Sequence, residues 1–201
     1  MQRIPQAGGL EGYLFEPFIH RELTKPLGGG DFRFFSMASD EEDSPRFVMD
    51  RTIPVTVRFP KVNRQVVAFE SVADLSMDQN IYYIPASTDF PLLDAFTMEI
   101  DLSKGSAILW VLQVTVSRSH GGSPRGYQKI RSIMAWLKQQ LRRHGQSDSP
   151  PCVKVSYILV VTKGESDKLE WRFPKGWNVS CVRNDHRGSV YCVEVDLTKC
   201  I

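Results

Sequence analysis

Cysteine is scarce in this chain: four in 201 residues, with no C-x-x-C pair and no histidine at zinc-knuckle spacing from them. A zinc ribbon is therefore excluded. Cys152, Cys181, Cys192 and Cys200 all lie in the last quarter, in apolar alternating segments. Buried thiols in a reducing compartment are expected, with a Cys181–Cys192 disulfide as the alternative. No apolar run approaches the about 20 residues that cross a bilayer. The opening residues, MQRIPQAGGLEGYLFEPF, lack the apolar stretch of a signal peptide. A soluble chain with no membrane partner and no secretion segment is expected, so the Asn178-Val179-Ser180 sequon reads as chance. Gly28-Gly29-Gly30 lacks the Gly-Lys-Ser/Thr of a phosphate loop, which argues against an ATPase. Net charge is also small: 25 Lys+Arg against 23 Asp+Glu give +2, which taken alone argues against a nucleic-acid binder.

What is present is an ordinary globular composition, 42% hydrophobic and 24% charged, so disorder is not the description. The length fits one domain, residues 1–201. Its expected core is about 9–162, with a β-rich extension over 163–201. Residues 9–24 carry Leu10, Leu14, Phe18 and Ile19 at helical spacing. Pro17 is expected to kink this helix or mark its start. Residues 31–35, 54–59, 65–70 and 81–85 read as strands, with an acidic loop over 38–45. Residues 92–100 and 107–117 read as two strands joined by the polar turn 101–105. The second helix has Ser123 as N-cap, Pro124 at its first position and His144-Gly145 at its end. Tyr127, Ile130, Ile133, Met134, Leu137 and Leu141 form its apolar stripe. Residues 153–162 are almost continuously apolar, as a strand buried on both faces should be. Short strands follow in the tail, where Trp171 to Trp177 are expected to pack rather than stack on bases. The order defines an α/β domain with a mixed central sheet flanked by helices.

Strand parity singles out a polar set. Leu112, Val114 and Val116 share one face, and Gln113, Thr115 and Ser117 share the other with Val111. A polar ladder in an apolar strand is costly unless it is satisfied or used. Asp94 is a lone acid in Phe90-Pro91-Leu92-Leu93-Asp94-Ala95-Phe96. If the strands pair through the 101–105 turn, Asp94 and Gln113 meet near one end. The plainer alternatives stay open: a backbone-satisfied carboxylate at Asp94, a satisfied ladder at Gln113 and Thr115, a surface acid at Glu16 and a loop histidine at His120.

An acidic residue on one strand, a polar-x-polar pair on the next and then a helix resemble the core of PD-(D/E)xK restriction-endonuclease-like nucleases. More narrowly, IYYIPAS–DFPLLDAF followed by WVLQVTVSRSHGGSPRGYQKI resembles the nuclease-like domain of Crinkler effectors and retrotransposon-hot-spot proteins. The pattern is carried by Phe90, Pro91, Asp94 and Ala95, then Gln113, Thr115 and His120. Gly12-Tyr13-Leu14-Phe15-Glu16 resembles the opening element of that family. The resemblance spans roughly residues 80–160 and more weakly 10–35. It implies cleavage of phosphodiester bonds, most naturally in DNA, with Mg²⁺ or Mn²⁺ held by Asp94, Gln113 and Glu16. Thr115 would orient water or substrate, and His120 or Lys129 would replace the missing lysine of the family pattern. Gln113 also stands where an acid is usual, so the site has one negative charge fewer. The resemblance further implies an effector or mobile-element setting and action in a nucleus, with nucleic acid or a host protein as partner. A catalytically silent binding module that keeps the nuclease fold is the alternative.

The small net charge hides an uneven distribution. From Leu102 to Ser147 there is no Asp or Glu, but there are eight basic residues: Lys104, Arg118, Arg125, Lys129, Arg131, Lys138, Arg142 and Arg143. The rest of the chain, with 17 basic and 23 acidic residues, carries −6. Basic residues of the second helix flank or oppose its apolar stripe, which places them where phosphates could be neutralised.

Overall fold

The computed structural model describes residues 7–24, 34–39, 46–55, 64–87, 93–115, 119–121, 124–164, 170–172 and 189–196. Two α-helices are present among them, α1 (Ala7–Thr24) and α2 (Pro124–His144), with one 3₁₀ turn at Val72–Asp74. The strands are β1 (Phe34–Ser39), β2 (Arg46–Val55), β3 (Gln65–Phe69), β4 (Ile81–Pro85), β5 (Ala95–Asp101), β6 (Ser106–Val114), β7 (Ser119–Gly121), β8 (Cys152–Thr162), β9 (Glu170–Arg172) and β10 (Val190–Val195). They form one mixed sheet in the order β3-β4-β5-β6-β8-β10-β1-β2-β9-β7. The α/β class expected from the sequence is thus the class observed.

The middle of the sheet follows from local chemistry. β5 and β6 pair antiparallel from Ala95↔Leu112 to Asp101↔Ser106. Their turn is held by Asp101, whose Oδ1 accepts from the Lys104 N–H at 3.0 Å and the Ser103 hydroxyl at 2.6 Å. Gly105 closes it at φ 61°, a region that side-chain-bearing residues avoid. β6 and β8 then run parallel, from Ser106↔Cys152 to Val114↔Val160. A parallel pair cannot be joined by a tight turn, and α2 lies in the crossover between them. The far end of this unit is fastened to the turn: Leu102 O accepts from Gln146 N at 3.0 Å, and Gly105 O accepts from Cys152 N at 3.0 Å.

Both faces of β6 and β8 are covered. Tyr127, Ile130, Ile133, Met134, Leu137 and Leu141 of α2 cluster with Leu109, Val111, Val155, Tyr157 and Leu159. Phe15, Ile19 and Leu23 of α1 cluster with Trp110, Leu112, Val114, Ile158 and Val160. The long apolar run of β8 is explained by this two-sided cover. Aromatic contacts tie β3 and β4 to β5: Tyr83 stacks on Phe96 at 4.7 Å, and Phe69 meets Phe96 edge-on at 4.9 Å.

Several element bounds differ from expectation. The first helix starts at Ala7 and runs through Pro17, so that proline does not mark its start. A prolyl nitrogen removes one intrahelical hydrogen bond, and packing of Phe15, Ile19 and Leu23 offsets that loss. β2 spans Arg46–Val55 and so includes the first two residues of the expected 54–59 segment, whose other residues lie outside the described ones. β7 is absent from the sequence reading because three residues carry no periodicity. Residues 25–33, 40–45, 56–63, 88–92, 116–118, 122–123, 165–169, 173–188 and 197–201 lie outside the described residues, and with them Gly28-Gly29-Gly30, Phe90, Pro91, Ser117, Arg118, Ser123, Cys181 and Cys200. Cys192 is buried, and Cys152 is a partly exposed thiol.

Leu137 is fully buried between α2 and the sheet. Leu137→Ala is expected to lower stability by about 2–5 kcal/mol in urea titration. Gln139→Ala, on the exposed face of the same helix, is expected to change it by less than about 0.5 kcal/mol.

Candidate active site

The start of β5 and the end of β6 meet, as an antiparallel pair requires, and this brings Asp94 against Gln113. The Asp94 N–H donates to Leu112 O at 3.0 Å, which fixes the backbone. Asp94 Oδ2 then accepts from the Gln113 side-chain amide at 2.6 Å and from the Val114 N–H at 2.6 Å. The amide at position 113 makes this contact attractive; two carboxylates so close would repel. With its NH₂ turned to Asp94, Gln113 leaves Oε1 buried and without a hydrogen-bond partner among the described residues. A buried acceptor left in this way is costly and is a reason to look for a ligand.

The charge of Asp94 is also disfavoured. Burial pushes its pKa up to about 7, the Val114 N–H opposes that rise, and the negative charge of Glu16 adds to it. Glu16 projects from α1 with its side chain half exposed. Its Oε1 lies 3.4 Å from His20 Nε2, and His20 Nδ1 lies 2.8 Å from the hydroxyl of the fully buried Tyr82. Burial first, and the Asp94 carboxylate next, hold the Tyr82 phenol far above its ordinary range. Glu16 raises it too, and the Arg64 guanidinium opposes the rise. Glu16, His20 and Tyr82 lie on the α1 side of the sheet, and Asp94, bonded to Gln113 at the strand ends, is close enough for its charge to couple to Glu16 and Tyr82.

The remaining expected site residues are distributed differently. Thr115 is buried beside Gln113, and its N–H donates to Val160 O at 2.9 Å, extending the β6–β8 ladder. His120 lies in β7, where it pairs with Trp171 of β9. Arg125, Lys129, Arg131 and Arg142 are exposed on α2, and Lys138 is partly buried there.

His20, Tyr82 and Arg64 carry no motif signal and escape sequence reasoning. A Glu16–His20 pair four residues apart on a helix is the one clue available, since such residues are neighbours. Arg64 locks the end of α1 in place: its guanidinium donates to Leu23 O at 3.2 Å and its N–H to Thr24 O at 3.3 Å. Burial raises the Glu99 carboxyl, and the nearby Trp110 indole and Arg64 guanidinium oppose that rise.

Among the described residues, no group of three or more His, Cys, Asp or Glu side chains comes together as a metal site. The oxygens available at the strand ends are the Asp94 carboxylate and, once the Gln113 amide turns over, its Oε1, which otherwise points away from Asp94. Mg²⁺ and Mn²⁺ prefer such hard donors, and a cation would relieve the mutual repulsion of Asp94 and Glu16. The donor set fits one divalent cation held by few protein ligands rather than a closed cage. No helix among the described residues is long and apolar enough to cross a membrane. The chain matches no protein-family model, no curated protein and no solved structure.

The raised pKa of Asp94 has a signed consequence for stability. The folded state keeps its proton to higher pH than the unfolded state, so this group's contribution to stability falls as pH rises from about 4 to about 7. In metal-free buffer, Asp94→Asn is expected to match the parent near pH 4. At pH 8 the variant should exceed it by up to about 4 kcal/mol, read by denaturant titration at both pH values.

Proposed function

We propose that this domain is a metal-dependent nuclease of restriction-endonuclease-like type, related to the Crinkler and retrotransposon-hot-spot group, cleaving phosphodiester bonds of DNA. The single observation that carries the reading is the contact of Asp94 with Gln113 at the end of a strand pair, with the amide oxygen left unsatisfied. An upstream helix bearing Glu16, an acid at the start of one strand, Gln113-x-Thr115 at the end of the next and a helix thereafter support it as well.

In this reading Asp94 and Gln113 hold Mg²⁺ or Mn²⁺, and Glu16 assists from α1. The cation, when bound, polarises a phosphoryl oxygen and lowers the pKa of water. Burial around Asp94 strengthens every charge interaction at the strand ends. Thr115 serves in orienting water or substrate, and His120 or Lys129 supplies the polar group that the missing lysine would have given. The exposed basic residues of α2 hold the phosphate backbone without reading sequence. Action in a nucleus belongs to the same reading. A second reading keeps the fold and the basic helix but loses cleavage, with nucleic acid or a host protein as partner. The neutral side chains at Gln113 and Thr115 favour it, because they remove a metal-binding charge and a cationic stabiliser.

Supercoiled plasmid incubated with the protein and Mg²⁺ or Mn²⁺ is expected to be nicked. Asp94→Ala should lower the rate at least about 100-fold. No nicking with salt-dependent DNA binding intact supports the second reading, and neither nicking nor binding removes both. For binding, Arg125→Glu with Lys138→Glu and Arg142→Glu is expected to flatten the dependence of log K on log salt by about two to three units.

A further inference from the structure

His20 is used by no step above, yet it is built into the site with unusual completeness. It lies one helical turn beyond Glu16, on the same side of α1. Only 9% of it is exposed, and its ring meets Tyr82 edge-on with centroids 5.7 Å apart. The Glu16 carboxylate 3.4 Å from Nε2 can only accept, so Nε2 carries a hydrogen, and in the neutral imidazole Nδ1 is then the acceptor of the Tyr82 O–H at 2.8 Å. A neutral imidazole that accepts at Nδ1 carries its hydrogen on Nε2. That Nε2–H points to Glu16 Oε1 at 3.4 Å. The chain Tyr82–His20–Glu16 therefore has one direction of donation, from the buried hydroxyl outward to a half-exposed carboxylate.

We infer that His20 is a positioning residue, which with Tyr82 holds the Glu16 carboxylate in one orientation near Asp94. This rests on the nuclease reading for what Glu16 does there. An exposed glutamate on a helix samples several rotamers, and a tether from a buried donor selects among them. Tyr82 feels the charges of both Asp94 and Glu16, so the anchor of the tether stands near both carboxylates. Outer groups that orient a metal ligand commonly change affinity about 10–100-fold when removed. A purely structural His20 would satisfy Tyr82 and nothing more.

Two amide substitutions separate these roles. His20→Asn keeps an acceptor near the Nδ1 position for Tyr82 but cannot reach Glu16, whereas His20→Gln extends an amide donor to the Nε2 position. In the metal-free parent, ¹⁵N NMR of the imidazole should show hydrogen on Nε2. By electron paramagnetic resonance of free Mn²⁺, His20→Asn should bind Mn²⁺ about 10–100-fold more weakly than the parent, and His20→Gln should recover to within a few-fold. In plasmid cleavage His20→Asn should lower kcat and leave KM for DNA unchanged. Should His20→Asn lose its cooperative melt, the pair His20→Leu with Tyr82→Phe removes both partners and gives the same comparison. A hydrogen on Nδ1 overturns the inference. So does a folded His20→Asn that binds Mn²⁺ within twofold of the parent while Asp94→Ala weakens binding, an outcome that leaves the nuclease reading standing. If Asp94→Ala binds Mn²⁺ as the parent does, or if neither binds it, both fall together.

Discussion

The parallel pairing of β6 with β8 is the constraint on which the rest of the structure depends. It forces a long crossover, and α2 fills it. It also puts two strands at the centre of the sheet, where both of their faces must be covered. α2 covers one face and α1 the other. Because α1 must dock on β6, Glu16 and His20 come to the same side of the sheet as Tyr82. Because β5 must pair with β6 through a tight turn, Asp94 arrives opposite the end of β6 where Gln113 stands. The polar neighbourhood is thus assembled by packing requirements of apolar strands.

Its electrostatics are set by one exchange of side-chain type. A carboxylate at position 113 would repel Asp94 in the absence of a cation, and an amide instead donates to it. The gain is a defined geometry in the metal-free protein, with Val114 N–H completing the grip. The loss is a negative charge and therefore attraction for a cation. Burial of Asp94 works in the same direction, since a carboxyl that keeps its proton near neutrality is a poorer ligand until a cation competes for it.

Much of the centre was legible in the sequence. The stripe on α2, the buried run of β8, the 101–105 turn and the meeting of Asp94 with Gln113 all follow from periodicity and from strand parity counted back through a short turn. These are local patterns, and local patterns are what a sequence displays. The helix over 9–24 was legible too, but which of the two effects Pro17 has was not, because tertiary packing decides whether a local breaker is tolerated. Tyr82 in a short apolar strand reads as core, and nothing in IYYIP announces a hydroxyl aimed at a histidine 62 residues away. Arg64 was invisible for the same reason: its partners are carbonyls at the end of α1, and backbone carbonyls leave no trace in residue type. The candidate site itself rested on family resemblance, which supplied Glu16 where spacing alone did not.

The turn at 101–105 fastens α2 and β8 to the β5–β6 hairpin, so residues 94 to 162 make one unit that is continuous in sequence. Asp94 and Gln113 both belong to it. Glu16 and His20 do not, and their partners across the sheet lie far along the chain. The site is accordingly composite in its connectivity. One half belongs to the hairpin and crossover and the other to α1, so a mutation that loosens α1 would displace Glu16 while leaving the Asp94–Gln113 contact within its own unit.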